Sequence, residues 1–80
     1  MVMPTVLLVR EYRFFFFLNE HEPIHIHVTK ADSEARFVLV PEIDLTYCRG
    51  FKKNELRNIV NLITEHYGTF ITAWRTTFGQ

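Results

Sequence analysis

The chain has 80 residues, with nine Lys and Arg against nine Asp and Glu, and 15% of its residues are aromatic. This length holds one small globular domain, and zero net charge provides no overall field for coating nucleic acid or a membrane surface. The longest apolar run, residues 14–18, is far shorter than a membrane span, so we expect a cytoplasmic protein with no membrane partner. Cys48 is the single cysteine, which excludes an intramolecular disulfide and predicts a partly buried structural thiol.

The first half of the chain predicts four β-strands. β-Branched and apolar residues at 5–9 and 12–18 are separated by a tight polar turn, and residues 24–29 alternate between apolar and polar positions. A polar turn at 30–33 leads into a fourth strand at 34–40, which Pro41 ends. We expect residues 42–51 to be a connector with, at most, a short extended piece at 45–48.

After residue 52 the apolar period changes from two to that of a helix. The first helix presents the stripe Leu56, Ile59, Val60, Ile63 and Tyr67. Gly68 is expected to end it and Thr69 to cap a second helix, and one bent helix is the alternative. The stripe of the second helix is Phe70, Ile71, Trp74 and Phe78.

This order of elements predicts an α+β fold, a four-stranded antiparallel β-meander followed by two C-terminal α-helices packed on one face. We expect residues 3–80 to form a single small domain. Met1 and Val2 are expected to be disordered or to belong to an upstream start.

Two histidines form the sharpest local feature. If Ile24, Ile26 and Val28 face the helices, His25 and His27 project together from the opposite side of the sheet, with Cα atoms about 6–7 Å apart. Three roles are open for this pair. The two rings are ligands of a divalent metal, or general base and general acid at a phosphodiester, or structural residues that pack against phenylalanines.

Each of the functional alternatives needs further residues. No metal or other cofactor is established by the pattern, and a metal site would draw on the additional ligands Glu20, His21, Glu22 or His66. A ribonuclease-type reaction needs cationic stabilisation of its transition state, for which Arg13, Arg36 or a basic cluster further along the chain is available.

That basic cluster consists of Arg49, Lys52, Lys53 and Arg57. With Glu55 as its only acidic residue it carries a net charge of +3 within nine residues, at the start of the first helix. The helix dipole makes it a candidate anion-binding site, although a solvated first turn is the favoured interpretation. Lys52 also stands where Ser or Asp would normally cap a helix.

An ordered set of short motifs resembles one prokaryotic family, the domain of unknown function 4160 family, which carries a P-H-V-H-V type motif. The motifs are Met3-Pro4-Thr5-Val6, Arg13-Phe14-Phe15-Phe16, Asn19-Glu20, Pro23-Ile24-His25-Ile26-His27-Val28, Glu34-Ala35-Arg36-Phe37 and Gly50-Phe51 before Glu55-Leu56. The resemblance runs from Met3 to Trp74 and places the family motif on Pro23, His25, His27 and Val28. Ile24 departs from it where a second proline is common, and Lys52-Lys53 replace a small polar residue and a proline.

The resemblance implies a small stand-alone bacterial or archaeal protein that is often encoded beside a second small domain of unknown function (family 2442), in an arrangement like a toxin–antitoxin pair. Two helices cover one face of the sheet, so we expect the other, aromatic face to meet a second copy or a small partner protein. The leading hypothesis is therefore a protein-interaction component of a two-gene, toxin–antitoxin-like module. The alternatives are a small ribonuclease-type toxin that uses His25 and His27 and binds nucleic acid, or a metal-binding protein.

Overall fold

A computed structural model describes residues 6–17 and 23–79 of the chain. These residues form an antiparallel sheet of five strands followed by two helices. The elements are β1 (Leu7–Val9), β2 (Tyr12–Phe15), β3 (His25–Lys30), β4 (Ser33–Val38), β5 (Asp44–Arg49), α1 (Lys53–Glu65) and α2 (Tyr67–Phe78). The strands lie side by side in chain order, which confirms the meander and the α+β class. Some residues named in the sequence analysis lie outside the described ranges, and the expectations for them stay predictions. They are Met1, Val2, Glu20, His21 and Glu22.

The fifth strand corrects the expected number of strands. Asp44–Arg49, expected to belong to a connector, pairs with β4 along its length. The register of this pairing shifts by one residue. Arg36 lies opposite Tyr47 and Phe37 lies opposite Leu45, which leaves Thr46 as the extra residue of a β-bulge. Strand prediction depends on apolar and polar residues that alternate with a period of two, and a bulge interrupts this alternation. Residues 44–49 therefore did not have the pattern of a regular strand.

Two-residue turns connect the first four strands in pairs. Arg10 and Glu11 join β1 to β2, and Ala31 and Asp32 join β3 to β4. The first residue of each turn has positive φ, 56° for Arg10 and 53° for Ala31, which is the backbone geometry of turns that match the twist of a hairpin. Both turns lie where the polar interruptions of the sequence predicted them.

The core lies between the sheet and the two helices. The predicted helical stripes are confirmed, since Ile59 and Ile63 of α1 and Trp74 of α2 have no exposed surface. Phe14 of β2 meets Phe70 of α2 with ring centroids 5.2 Å apart. Burial of these aromatic and aliphatic side chains is the main stabilising contribution in a chain that has no disulfide.

The junction between the helices lies at His66, so the predicted stop at Gly68 and cap at Thr69 are wrong. The His66 N–H donates to Leu62 O at 3.0 Å, and the Phe70 N–H donates to His66 O at 3.1 Å. Helical hydrogen bonds therefore continue on both sides of His66, and the two helices are close to the bent helix that was the alternative. Gly68 lies inside α2.

Replacing Gly68 by alanine should stabilise the protein. A Cβ at Gly68 would have no atom within 4 Å, and alanine favours a helix over glycine by about 0.5–1 kcal/mol. We expect Gly68→Ala to raise the free energy of unfolding by about that amount in urea titrations followed by circular dichroism.

Gly50→Ala is the matched control. Gly50 has φ of +91°, and its added Cβ would lie 2.6 Å from Ser33 Oγ, so this variant should lose stability. A destabilised Gly68→Ala variant would contradict the placement of Gly68 inside an exposed part of α2.

Candidate functional site

The face of the sheet that is turned away from the helices, the helix-free face, carries a row of four side chains. One comes from each of the strands β2, β3, β4 and β5. Phe15 pairs with His27, His27 with Arg36, and Arg36 with Tyr47. Directly opposed residues in antiparallel strands project from the same face, so these four side chains are neighbours. We call this set the β2–β5 row.

His27 is the buried member of the β2–β5 row, with 6% of its surface exposed. Its ring stacks on Phe15, with centroids 5.4 Å apart and an interplanar angle of 20°, and meets the edge of Phe17 at 4.7 Å. The Arg13 guanidinium lies 4.5 Å from the centre of the Phe15 ring in a cation–π contact. Phe15 itself is 4% exposed.

This packing concerns the aromatic face that was expected to meet a second copy or a partner protein, an expectation that stays a prediction. Phe15 and His27 are already covered within the chain, and four large hydrophobic side chains are exposed among the described residues. They are Leu8, Val40, Leu45 and Tyr47. These exposed residues are therefore the candidates for an interaction surface.

His25 is also buried, at 7% exposure, where β3 begins. Its Nδ1 lies 2.7 Å from Pro23 O, and because a carbonyl only accepts, the proton of this bond is on Nδ1. The His25 ring contacts both His27, at a centroid distance of 5.3 Å, and Trp74 of α2, at 5.2 Å. The two histidines are thus adjacent, as predicted, and α2 packs against one of them.

The catalytic and metal-binding roles of His25 and His27 stay predictions. The rings contact each other edge to face, so a phosphodiester between them would require them to separate. In the part of the chain that the structure describes, no group of three or more His, Cys, Asp and Glu side chains is gathered for a metal ion. His66, one of the predicted additional ligands, lies at the helix junction 3.8 Å from a Glu65 oxygen.

A cleft of about 210 Å³ lies at the outer end of the β2–β5 row, lined by His27, Glu34, Arg36 and Tyr47. Arg36 Nε donates to Thr46 Oγ1 at 3.1 Å, and Glu34 Oε1 lies 3.6 Å from Arg49 Nη2. Neither Glu34 nor Tyr47 was predicted to belong to a site, and for Tyr47 the reason is that the strand that brings it beside Arg36 was not predicted. Period-two alternation on either side of Thr46 was the available signal.

The structure divides the predicted basic cluster into two parts. Arg49 ends β5, where its guanidinium lies beside Glu34 and donates to Asp32 O at 3.3 Å. Lys52, Lys53 and Arg57 are exposed at the start of α1. Their anion-binding role stays a prediction. Cys48 is exposed, which corrects the expectation of a partly buried thiol.

Lys52 occupies the N-cap position of α1, as the sequence indicated. A lysine ammonium has no lone pair with which to cap the helix, and the bond that closes this end comes instead from Glu55, whose Oε1 accepts from the Lys52 backbone N–H at 3.0 Å. The other Glu55 oxygen accepts from Lys30 Nζ at 3.1 Å. Glu55 thereby joins the start of α1 to the end of β3.

These features define a small α+β protein in which a five-stranded antiparallel meander is covered on one face by two consecutive helices. The chain belongs to the domain of unknown function family DUF4160, whose profile matches residues 12–75, and the resemblance noted in the sequence is confirmed. Searches of curated proteins and of solved structures gave no significant match. Within the described ranges, neither helix has the length and hydropathy needed to cross a bilayer.

The link through Glu55 should make stability depend on pH in the acid range. The Lys52 N–H and then the Lys30 ammonium hold the pKa of Glu55 below its ordinary value of 4.5. A group whose pKa is lowered by folding stabilises the fold above its unfolded pKa, and this contribution is lost as the pH falls through the folded value. We expect Glu55→Gln to be less stable than the parent chain at neutral pH and to lose less stability on acidification, in urea titrations at both conditions.

Lys53→Gln serves as the control, since Lys53 is exposed in the same helical turn. An identical acid-induced loss in the parent chain and in Glu55→Gln would show that this carboxylate does not connect α1 to the sheet.

Removal of the His27 ring should destabilise the fold. Truncation of a buried ring leaves a cavity and typically costs about 2–4 kcal/mol, so we expect a loss of that size for His27→Ala. His66→Ala is the matched control, because its side chain is 32% exposed and should cost less than about 1 kcal/mol. Equal stabilities of the two variants, measured by thermal and urea unfolding, would contradict a packing role for His27.

Proposed function

We propose that this protein is a cytoplasmic protein-interaction component of a two-gene, toxin–antitoxin-like module, and that it self-associates through strand β5. The module is the arrangement that the sequence resemblance implied for members of this family. The interaction surface rests on one observation, the exposure of β5 at the edge of the sheet.

β5 is the last strand of the sheet, and each of its six residues is exposed. Two of them are large hydrophobic residues, Leu45 with 40% and Tyr47 with 43% of its surface exposed. The outer edge of such a strand presents backbone N–H and C=O groups that pair readily with another strand. Small proteins normally protect such an edge, so an exposed one with apolar side chains supports an interaction role.

The charges of β5 favour a second copy of the same chain as the partner strand. Antiparallel pairing about a two-fold axis can set Asp44 opposite Arg49 of the second copy, and the same contact then forms twice. In this register Leu45 lies opposite Cys48 of the second copy. Each contact joins two residues that share a face of the sheet. Leu45 and Cys48 share one face, because they pair with the buried residues Phe37 and Ala35 of β4. Asp44 and Arg49 share the other face, because they pair with Val38 and Glu34.

Self-association of this kind should be weak to moderate. One pair of six-residue strands forms an interface at the small end of the range for specific complexes, so we expect a dissociation constant on the order of micromolar. Each opposite-charge pair across the strands adds modestly to affinity, and like charges in the same place oppose pairing.

Charge reversal tests the proposed register. We expect Asp44→Arg and Arg49→Asp each to dissociate the dimer, because each places like charges opposite one another. Mixing the two variants in equal amounts restores both opposite-charge contacts and should give a heterodimer. Analytical ultracentrifugation of each variant alone and of the mixture measures this directly.

Glu65→Arg is the matched control, since it makes the same change in charge on an exposed residue of α1 and should leave the dimer intact. A monomeric parent chain at tens of micromolar, or single variants that dimerise normally, would overturn self-association through β5. Loss of binding to the product of the neighbouring gene only in β5 variants would keep the interaction role and replace the second copy by that protein.

A further inference from the structure

We propose that the cleft lined by His27, Glu34, Arg36 and Tyr47 binds an oxyanion, the carboxylate or phosphate group of a ligand. This site is distinct from Lys52, Lys53 and Arg57 at the start of α1. Tyr47 and Arg49 belong to β5, but binding of the anion does not require self-association through that strand. Three features of the cleft favour an oxyanion, namely the positions of the donors, the buried wall and the pairing of its one acidic residue.

Arg36 is the principal donor. It lies in the interior of β4 and is exposed, and its Nε donates to Thr46 Oγ1 at 3.1 Å while Thr46 Oγ1 donates to Arg36 O at 3.2 Å. These two bonds hold the guanidinium across the bulge of β5. The two Nη groups carry the other donors of the side chain, and a guanidinium binds carboxylate and phosphate oxygens through such paired donors.

Tyr47 and His27 complete the walls. Tyr47 is the strand neighbour of Arg36, and its phenolic O–H is a donor suited to a second oxygen of the anion. His27 forms the inner wall, where its ring is held between Phe15 and Phe17. Because these rings exclude water from one side of the cleft, a charge-assisted hydrogen bond there is stronger than the same bond in solution.

Glu34 is the residue that argues against an anion, since its carboxylate repels one. Its Oε1, however, lies 3.6 Å from Arg49 Nη2, so the negative charge is paired. The three charged side chains, Arg36, Arg49 and Glu34, together carry a net charge of +1. The cleft therefore remains favourable for one negative group.

The volume of the cleft limits what it holds. About 210 Å³ accommodates a phosphate or carboxylate group but leaves most of a drug-sized ligand outside. We therefore assign the cleft to the oxyanion end of a ligand, which is either a phosphorylated compound or a carboxylic acid.

Titrations followed by ¹H–¹⁵N NMR spectra test the site. Inorganic phosphate and acetate are the probes, and sodium chloride at the same ionic strength is the reference. We expect saturable shifts at the backbone amides of His27, Arg36 and Tyr47 with at least one probe. Stronger binding of phosphate than of acetate would identify a phosphorylated ligand, and the reverse order a carboxylic acid.

Arg36→Gln should weaken binding about tenfold, as expected for loss of one charge-assisted contact, whereas Arg57→Gln should leave it unchanged. The same spectra show whether each variant keeps the fold. Shifts confined to the start of α1, together with binding that is weakened by Arg57→Gln and not by Arg36→Gln, would show that the anion binds to the basic cluster. That result would overturn the proposal. Absence of saturable shifts in the parent chain would also overturn it. Repeating the titration on Asp44→Arg separates this result from that of self-association.

Discussion

The packing of Trp74 is the contact on which the arrangement of the other elements depends. Its ring is fully buried and meets Phe16 after β2 at 5.1 Å, His25 at the start of β3 at 5.2 Å and Phe78 of its own helix at 4.3 Å. One large side chain therefore attaches α2 to two neighbouring strands. In a chain of 80 residues without a disulfide, the fold depends on the burial of large apolar side chains such as this one.

The same contact determines the environment of the histidine motif. Because Trp74 covers the His25 ring, and because Phe15 and Phe17 enclose His27, the two imidazoles are buried among aromatic rings. Their first role is to pack. The exposed polar side chains of the helix-free face that can bind a ligand, Arg36 and Tyr47, lie on β4 and β5. Strand pairing through β5 and binding of an oxyanion in the cleft both use residues of this region.

Some parts of the structure were predictable because they depend on neighbours in the chain. The helical stripes that contain Ile63 and Trp74 follow from a period of 3.6, and the turn at residues 30–33 follows from a polar interruption between two strands. The adjacency of His25 and His27 follows from alternation along one strand. The boundary between the helices was misplaced because a glycine is tolerated inside a helical pattern, and because the Tyr67 hydroxyl, which donates to Leu39 O, anchors the start of α2 at a point set by the sheet.

By itself the sequence determined the α+β class, the meander, the apolar stripes of both helices and the family of the protein. Tertiary structure decided that residues 44–49 form an edge strand, that Phe15 and His27 are covered within the chain, and that Tyr47 stands beside Arg36 to form a cleft. The physical reason is the range of the interactions. Periodicity reports which residues share a face of one element, while register between strands is set by packing and hydrogen bonds among distant residues, and a single bulge changes it.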